Sequence, residues 1–194
     1  MKETPFENVK IVDPYVERGW TPELKLMLAT PEEVDALEAK LNLTFPEGYR
    51  EFVTTFGKGD YCGHNTAIRV DMPSAISSEY KEHQEFLDEF WFWEDSEDLL
   101  PKEKAVECIR VCDTDVGDVI IFHSSSPNEL FVLPHSDDIA YRIGSNLYEA
   151  FDWLVAKGSQ AAGGTEESLK WRVFVPDNPF AYSNGVIRPD GFYK

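Results

Sequence analysis

Cys62-Gly63-His64 brings together side chains that ligate metals or build a thiolate nucleophile. A zinc site needs three or four ligands held together, and the histidines available to complete one, His123 and His135, lie far along the chain. A Cys–His pair for nucleophilic catalysis needs the same convergence and has no specific sequence signal here. Cys108 and Cys112 lie four apart. On a strand that spacing puts both on one face, where small core residues are their expected role. Asp113 with Asp115, and Asp137 with Asp138, offer carboxylates to a cation, but turns are rich in aspartate for backbone reasons. Gly57-Lys58-Gly59-Asp60 is too short for a phosphate-cradling loop and reads as a helix stop and turn. The sequence contains no CxxC and no HExxH, and with 36 acids any carboxylate pair proposed for hydrolysis is a chance match. The expectation is a protein without catalytic residues, metal or cofactor: not an enzyme.

The charge is more informative. The chain has 194 residues, 36 acids and 18 Lys plus Arg, for a formal net charge of −18. Such a field repels nucleic acid and anionic membrane and attracts cationic proteins. Glu79, Glu82, Glu85, Asp88, Glu89, Glu94, Asp95, Glu97 and Asp98 crowd one stretch with a single base, Lys81. Two readings stand: a solvated acidic face that maintains solubility, or a docking surface for a basic partner. Within this stretch runs Phe90-Trp91-Phe92-Trp93. A helix spreads four consecutive side chains around its circumference and a strand sends two to each face, so some ring surface is left near solvent or a partner. Packing against the N-terminal arm is the expected fate of the rest.

Composition bounds the fold. A chain of this length buries roughly 70% of its unfolded surface and needs no disulfide or metal staple. Hydrophobic content of 42% and aromatic content of 13% fit a soluble globule. There is no apolar run long enough for a transmembrane helix, and no secretory signal is visible in MKETPFENVK. Three widely spaced cysteines read as reduced thiols of a cytoplasmic protein.

The elements follow from local grammar. Thr30 is an N-cap, Pro31 suits the first helical position, and Glu33 sits where a capping box needs it. Val34, Leu37 and Leu41 form one stripe. Pro46 pushes Phe45 into extended geometry and opens a second helix with Tyr49, Phe52, Val53 and Phe56, stopped by Gly57. Ala67 to Val70 reads as the first strand, with Ile68 and Val70 on one side. Pro73 to about Phe90 reads as a helix with Tyr80, Leu87 and Phe90 inward and Glu82, Glu85 and Glu89 outward. Strands follow at Val106–Val111, Gly117–His123, Glu129–Pro134 and Ile139–Ile143, with a turn at Ser124–Glu129. Ser145 caps a closing helix bearing Leu147, Phe151, Trp153 and Leu154. Gly158–Ser168 reads as a flexible linker, and Trp171–Val175 as an edge strand before a proline-punctuated tail. Helix pair, antiparallel meander and closing helix make an α+β domain. The expected organisation is an arm at 1–29, a domain at 30–157 with an acidic aromatic insertion near 79–98, and a linker and tail at 158–194.

Val34, Leu37, Glu38, Leu41, Leu43, Phe45, Pro46, Tyr49, Phe52 and Phe56, followed by Gly117-Asp118, Leu130-Phe131-Val132 and the closing helix, resemble the SUKH superfamily over about Thr30 to Ala156. That superfamily holds yeast cell-wall-synthesis regulators and many bacterial immunity proteins of toxin systems. The resemblance implies a protein-binding domain, either an immunity protein that neutralises a toxin, a nuclease among the possibilities, or a regulatory adaptor without a toxin partner. The partner expected is a cationic toxin domain, with no nucleic acid and no membrane; the sequence leaves the oligomeric state open. Candidate contacts are the aromatics Tyr80, Trp91 and Trp93 as anchors, with Glu82, Glu85, Glu89, Glu94, Asp95, Glu97 and Asp98 setting orientation. The acidic aromatic stretch and both terminal arms depart from the family pattern.

Overall fold

Strand β1 (Lys10–Ile11) and the short helix α1 (Pro14–Glu17) precede the first long helix, α2 (Pro31–Leu41). The computed structural model describes residues 6, 9–17, 24–63, 66–161 and 172–177. At the start of α2 the Thr30 hydroxyl accepts from the Glu33 N–H at 3.2 Å, and the Glu33 carboxylate accepts from the Thr30 N–H at 2.7 Å. This reciprocal pair satisfies two otherwise orphaned donors. Val34 and Leu37 are buried, and Leu41 packs at the margin of the core. Glu38 holds the link to the next helix: it accepts from the Phe45 N–H at 2.9 Å and pairs with Arg50 at 3.0 Å. Helix α3 (Tyr49–Thr55) starts after Gly48, later than Pro46 suggested. Gly57 has φ +75°, and a Cβ there would lie 2.1 Å from the Met27 carbonyl oxygen. Only glycine fits both the left-handed backbone and that approach.

The remaining strands are β2 (Gly59–Gly63), β3 (Thr66–Val70), β4 (Ile109–Thr114), β5 (Val119–His123), β6 (Ser126–Leu133), β7 (Tyr141–Gly144) and β8 (Val173–Pro176). They form one eight-stranded sheet in the order β1-β8-β2-β3-β4-β5-β6-β7. All neighbours are antiparallel except β1 and β8. The architecture is α+β.

Several local readings shift. Gly57–Asp60 is not wholly a turn: β2 begins at Gly59. GDYCG has no β-branched residue to announce a strand, and pairing to β3 and β8 supplies what propensity lacks. Val106 ends a short helix, α5 (Lys102–Val106), and the strand waits until Ile109. The turn expected over Ser124–Glu129 closes within Ser124-Ser125. The closing helix α6 (Leu147–Ala161) is capped by Asn146, whose side chain accepts from the Glu149 N–H at 2.9 Å. Ser145 instead donates to the Glu149 carboxylate through its N–H and hydroxyl. Helix α6 continues through Gly158 to Ala161, and the rest of the expected linker lies outside the described residues. The strand expected near Trp171–Val175 is not an edge, because β1 adds outside it in parallel.

Both sheet faces are buried, over separate cores. On one face α2, α3 and α6 cover Tyr61, Ile68, Ile120, Phe122 and Phe174. Phe6 joins this core edge-on to Phe52 and Phe56. On the other, Leu87, Trp93, Leu100 and Ala105 cover Ile121, Phe131 and Leu133. Alternation along β5 and β6 sorts neighbours between the two. Cys108 and Cys112 separate in the same way, one into each core, because the pairing register shifts between Arg110 and Cys112. Burial pushes the Cys108 thiol up to about 12 and the Cys112 thiol well above its ordinary value.

Candidate functional site: the acidic aromatic face of helix α4

Helix α4 (Pro73–Glu89) seats Ile76 and Tyr80 in the first core, while its Leu87, with Trp93 just ahead of the 3-10 turn at Glu94–Ser96, covers the second. The inner stripe of α4 is Ile76, Tyr80, His83 and Leu87, spaced for one helical face. Phe90 is not part of it: the helix ends at Glu89, and Phe90 is 44% exposed. Trp93 is not a surface anchor either. It is buried, and its indole N–H donates to the Pro134 carbonyl at 3.1 Å. Trp91 is half-buried and meets Trp93 edge-on at 5.4 Å. These indoles pack on the sheet face away from Phe6, so among the described residues the tetrad does not rest on the N-terminal arm. Apolar positions were open there because β5 and β6 present large side chains to both faces. Tyr80 is half-buried, and its hydroxyl accepts from Gln84 at 3.0 Å.

The carboxylates behave differently. Glu82, Glu85, Glu89, Glu94, Asp95, Glu97 and Asp98 are all exposed. Lys81, the lone base of the stretch, pairs with Glu85 at 3.3 Å. Beside them stand three rings that the sequence reading did not name as partner contacts: Phe86 at 43%, Phe90 at 44% and Phe92 at 59% exposure. Phe86 and Phe90 touch at 5.7 Å between centroids. At about 100° per residue they fall on a shoulder between the buried stripe and the row Glu82–Glu85–Glu89, a signal that a helical wheel carries.

The charge arrangement opposes the helix. A helix end rich in free carbonyls favours cations, yet the last turn of α4 holds no basic residue and its first turn no acid. Glu85, Asp88 and Glu89 gather at the unfavourable end. Partial relief comes from Lys102, which donates to the Asp88 carbonyl at 2.7 Å and pairs with its carboxylate at 3.2 Å.

Other polar clusters are internally tied. A cleft of about 630 Å³ lies at the start of α4, lined by Lys58, Arg69, Asp71, Ser74, Ser78 and Asp113 among others. Arg110 grips Asp71 through two bonds, at 2.7 and 3.1 Å, and reaches Glu79 at 2.9 Å. Arg69 binds Asp60 at 2.7 Å. Burial raises the Asp71 and Asp113 carboxyls above the usual range, and one Asp113 oxygen has no hydrogen-bond partner. Nothing here pairs a nucleophile with a base. Ser125, His123 and Glu107 have the residue types of a hydrolytic triad, with contacts of 2.7 and 3.2 Å to the two ring nitrogens. The same Nδ1 also accepts from the Ser125 N–H at 3.2 Å, so the bonds close the β5–β6 turn, and the cleft at the start of α4 does not reach them. The carboxylates Asp115 and Asp137 likewise serve backbone donors, Ala67 and Ile139. Among the described residues no group of three or more His, Cys, Asp or Glu gathers as metal ligands. His64 lies outside the described residues. No helix among them is long and apolar enough to cross a membrane.

No curated protein matches the chain. A family model described as SMI1 / KNR4 family (SUKH-1) matches residues 28–153, from the approach to α2 into α6, with the acidic face inside the match and β1 and β8 outside it. The chain therefore belongs to the SMI1 / KNR4 (SUKH-1) family.

Proposed function

We propose that this SUKH-1 chain is a non-enzymatic protein-binding domain, an immunity protein that neutralises a toxin by laying its acidic α4 face over a cationic, substrate-holding surface. One observation carries the reading: Glu85, Asp88 and Glu89 sit exposed at the helix end where they cost stability, outnumbering the two lysines that meet them, Lys81 and Lys102. An acid there costs about 0.3–1 kcal/mol. A face kept acidic against the fold's own preference fits a role outside the fold. A nuclease needs a basic surface to hold nucleic acid. An acidic inhibitor meets it through a steered, fast encounter and then excludes the substrate. The test is capture of the partner from the native host, identification, and measurement of association rate and toxin activity across salt. Support is a cationic protein whose activity is blocked and whose association slows steeply with salt. A neutral partner bound equally well at low and high salt overturns it.

A further inference from the structure

We propose that Phe86, Phe90 and Phe92 form the apolar anchor of the docking surface, and that its occupant is a partner-protein segment carrying aliphatic side chains flanked by lysine or arginine. The inference rests on the cationic-partner reading above and adds which residues give affinity and what the partner must present. Aromatic side chains bury about 150–250 Å² each, so rings exposed at 43%, 44% and 59% present roughly 300 Å² of apolar surface. That sum is at the lower end of the range for the largest apolar patch of a monomer, a patch often functional, and Phe86 and Phe90 are in ring contact within it.

Charge selects the occupant. Along the chain Glu82 and Glu85 precede the rings, Glu89 lies between Phe86 and Phe90, and Glu94, Asp95 and Glu97 follow, all exposed. An anionic lipid surface is repelled by that rim. So is a second copy of this chain, which would bring the same acids against themselves on a molecule of net charge −18. A cationic segment with apolar side chains satisfies both parts: the rim steers it, and the rings desolvate against its aliphatic groups. Trp93, buried beneath the strip and touching the Phe92 ring edge-on at 6.0 Å, backs the ridge from below.

The experiment uses the full chain and two synthetic peptides, one of lysine and leucine with leucines at helical spacing, the other identical but with serine for leucine. Labelled-peptide anisotropy at physiological salt is the readout. The native chain is expected to bind the leucine peptide at least about tenfold more tightly than the serine peptide, and Phe86→Ser/Phe90→Ser/Phe92→Ser to erase that preference. Phe92→Ser alone, at the most exposed ring, is expected to reduce it in part, which guards against a fold defect in the triple variant. A retained leucine preference in both variants overturns the anchor while leaving the acidic reading intact. Equal affinity after Glu82→Lys/Glu85→Lys/Glu89→Lys overturns the cationic reading and the anchor with it. A concentration-dependent dimer in sedimentation, lost in the triple variant, assigns the strip to a second copy and also overturns it.

Discussion

The Trp93 indole N–H donates to the Pro134 carbonyl at 3.1 Å and ties the segment after α4 to the end of β6. A buried aromatic at this tie joins the acidic stretch to the second core while its carboxylates stay at the surface. Trp93→Ala is expected to destabilise the chain by about 3–5 kcal/mol, the range for emptying a large aromatic site. Trp93→Phe keeps a ring but strands the carbonyl, for about 1–3 kcal/mol. Urea unfolding measures both. A loss near zero for Trp93→Ala means that the indole is not core.

His83 sits on the inner stripe of α4 with its Nε2 lacking a partner, beside Arg110, Asp71, Glu79 and Tyr80. Burial, then the Arg110 charge, pushes its pKa from 6.5 down to about 4. The folded chain thus binds fewer protons at this site than the unfolded chain between those values, so stability rises with pH through that window. The contribution is fully present above 6.5 and lost as pH falls, reaching about 3 kcal/mol by pH 4. Asp71 and Asp113, with raised carboxyl pKa values, act in the opposite sense at the acid end, because protonation relieves their burial. His83→Gln is expected to flatten the loss between pH 6.5 and 4 in unfolding titrations; an unchanged slope places the titration elsewhere.

Gly57→Ala combines a left-handed backbone with a Cβ 2.1 Å from the Met27 carbonyl oxygen. Strain at φ +75° costs about 1–2 kcal/mol, and the clash with rigid backbone adds to it. A loss of at least about 2 kcal/mol in thermal or urea unfolding is expected. Near-neutral behaviour means that the Met27–Lys58 bond of 3.0 Å, which holds this approach, is dispensable.

The parts of the fold legible in the sequence are those set by local chemistry. The Thr30–Glu33 box, the Val34–Leu37 stripe and the Gly57 stop depend on neighbours within a few positions, and they stand where local rules place them. The helix pair, meander and closing helix follow, and with them the family. Strand β2 and the inner position of β8 were not legible, because both owe their state to pairing partners distant along the chain. For the site, the exposed acids were legible from charge density alone. Two of the aromatics were misplaced: Trp93 was drawn inward by a second core that no local pattern announces, and the end of α4 at Glu89 left Phe90 exposed.

The acids of α4 should separate stability from association. Glu82, Glu85 and Glu89 lie at helical spacings where like charges repel, and Glu89 also opposes the helix end. Glu82→Gln/Glu89→Gln removes both penalties without touching the buried stripe or the Lys81–Glu85 pair at 3.3 Å. The melting temperature is therefore expected to hold or rise, by no more than about 1 kcal/mol of added stability. If the face serves a cationic partner, the same variant should associate more slowly at low salt, with a shallower salt dependence and little change in dissociation, since rim charges act on encounter. Stopped-flow association across salt, with melting measured on the same protein, checks the two together. Lost stability with unchanged association reverses the assignment and makes these acids structural.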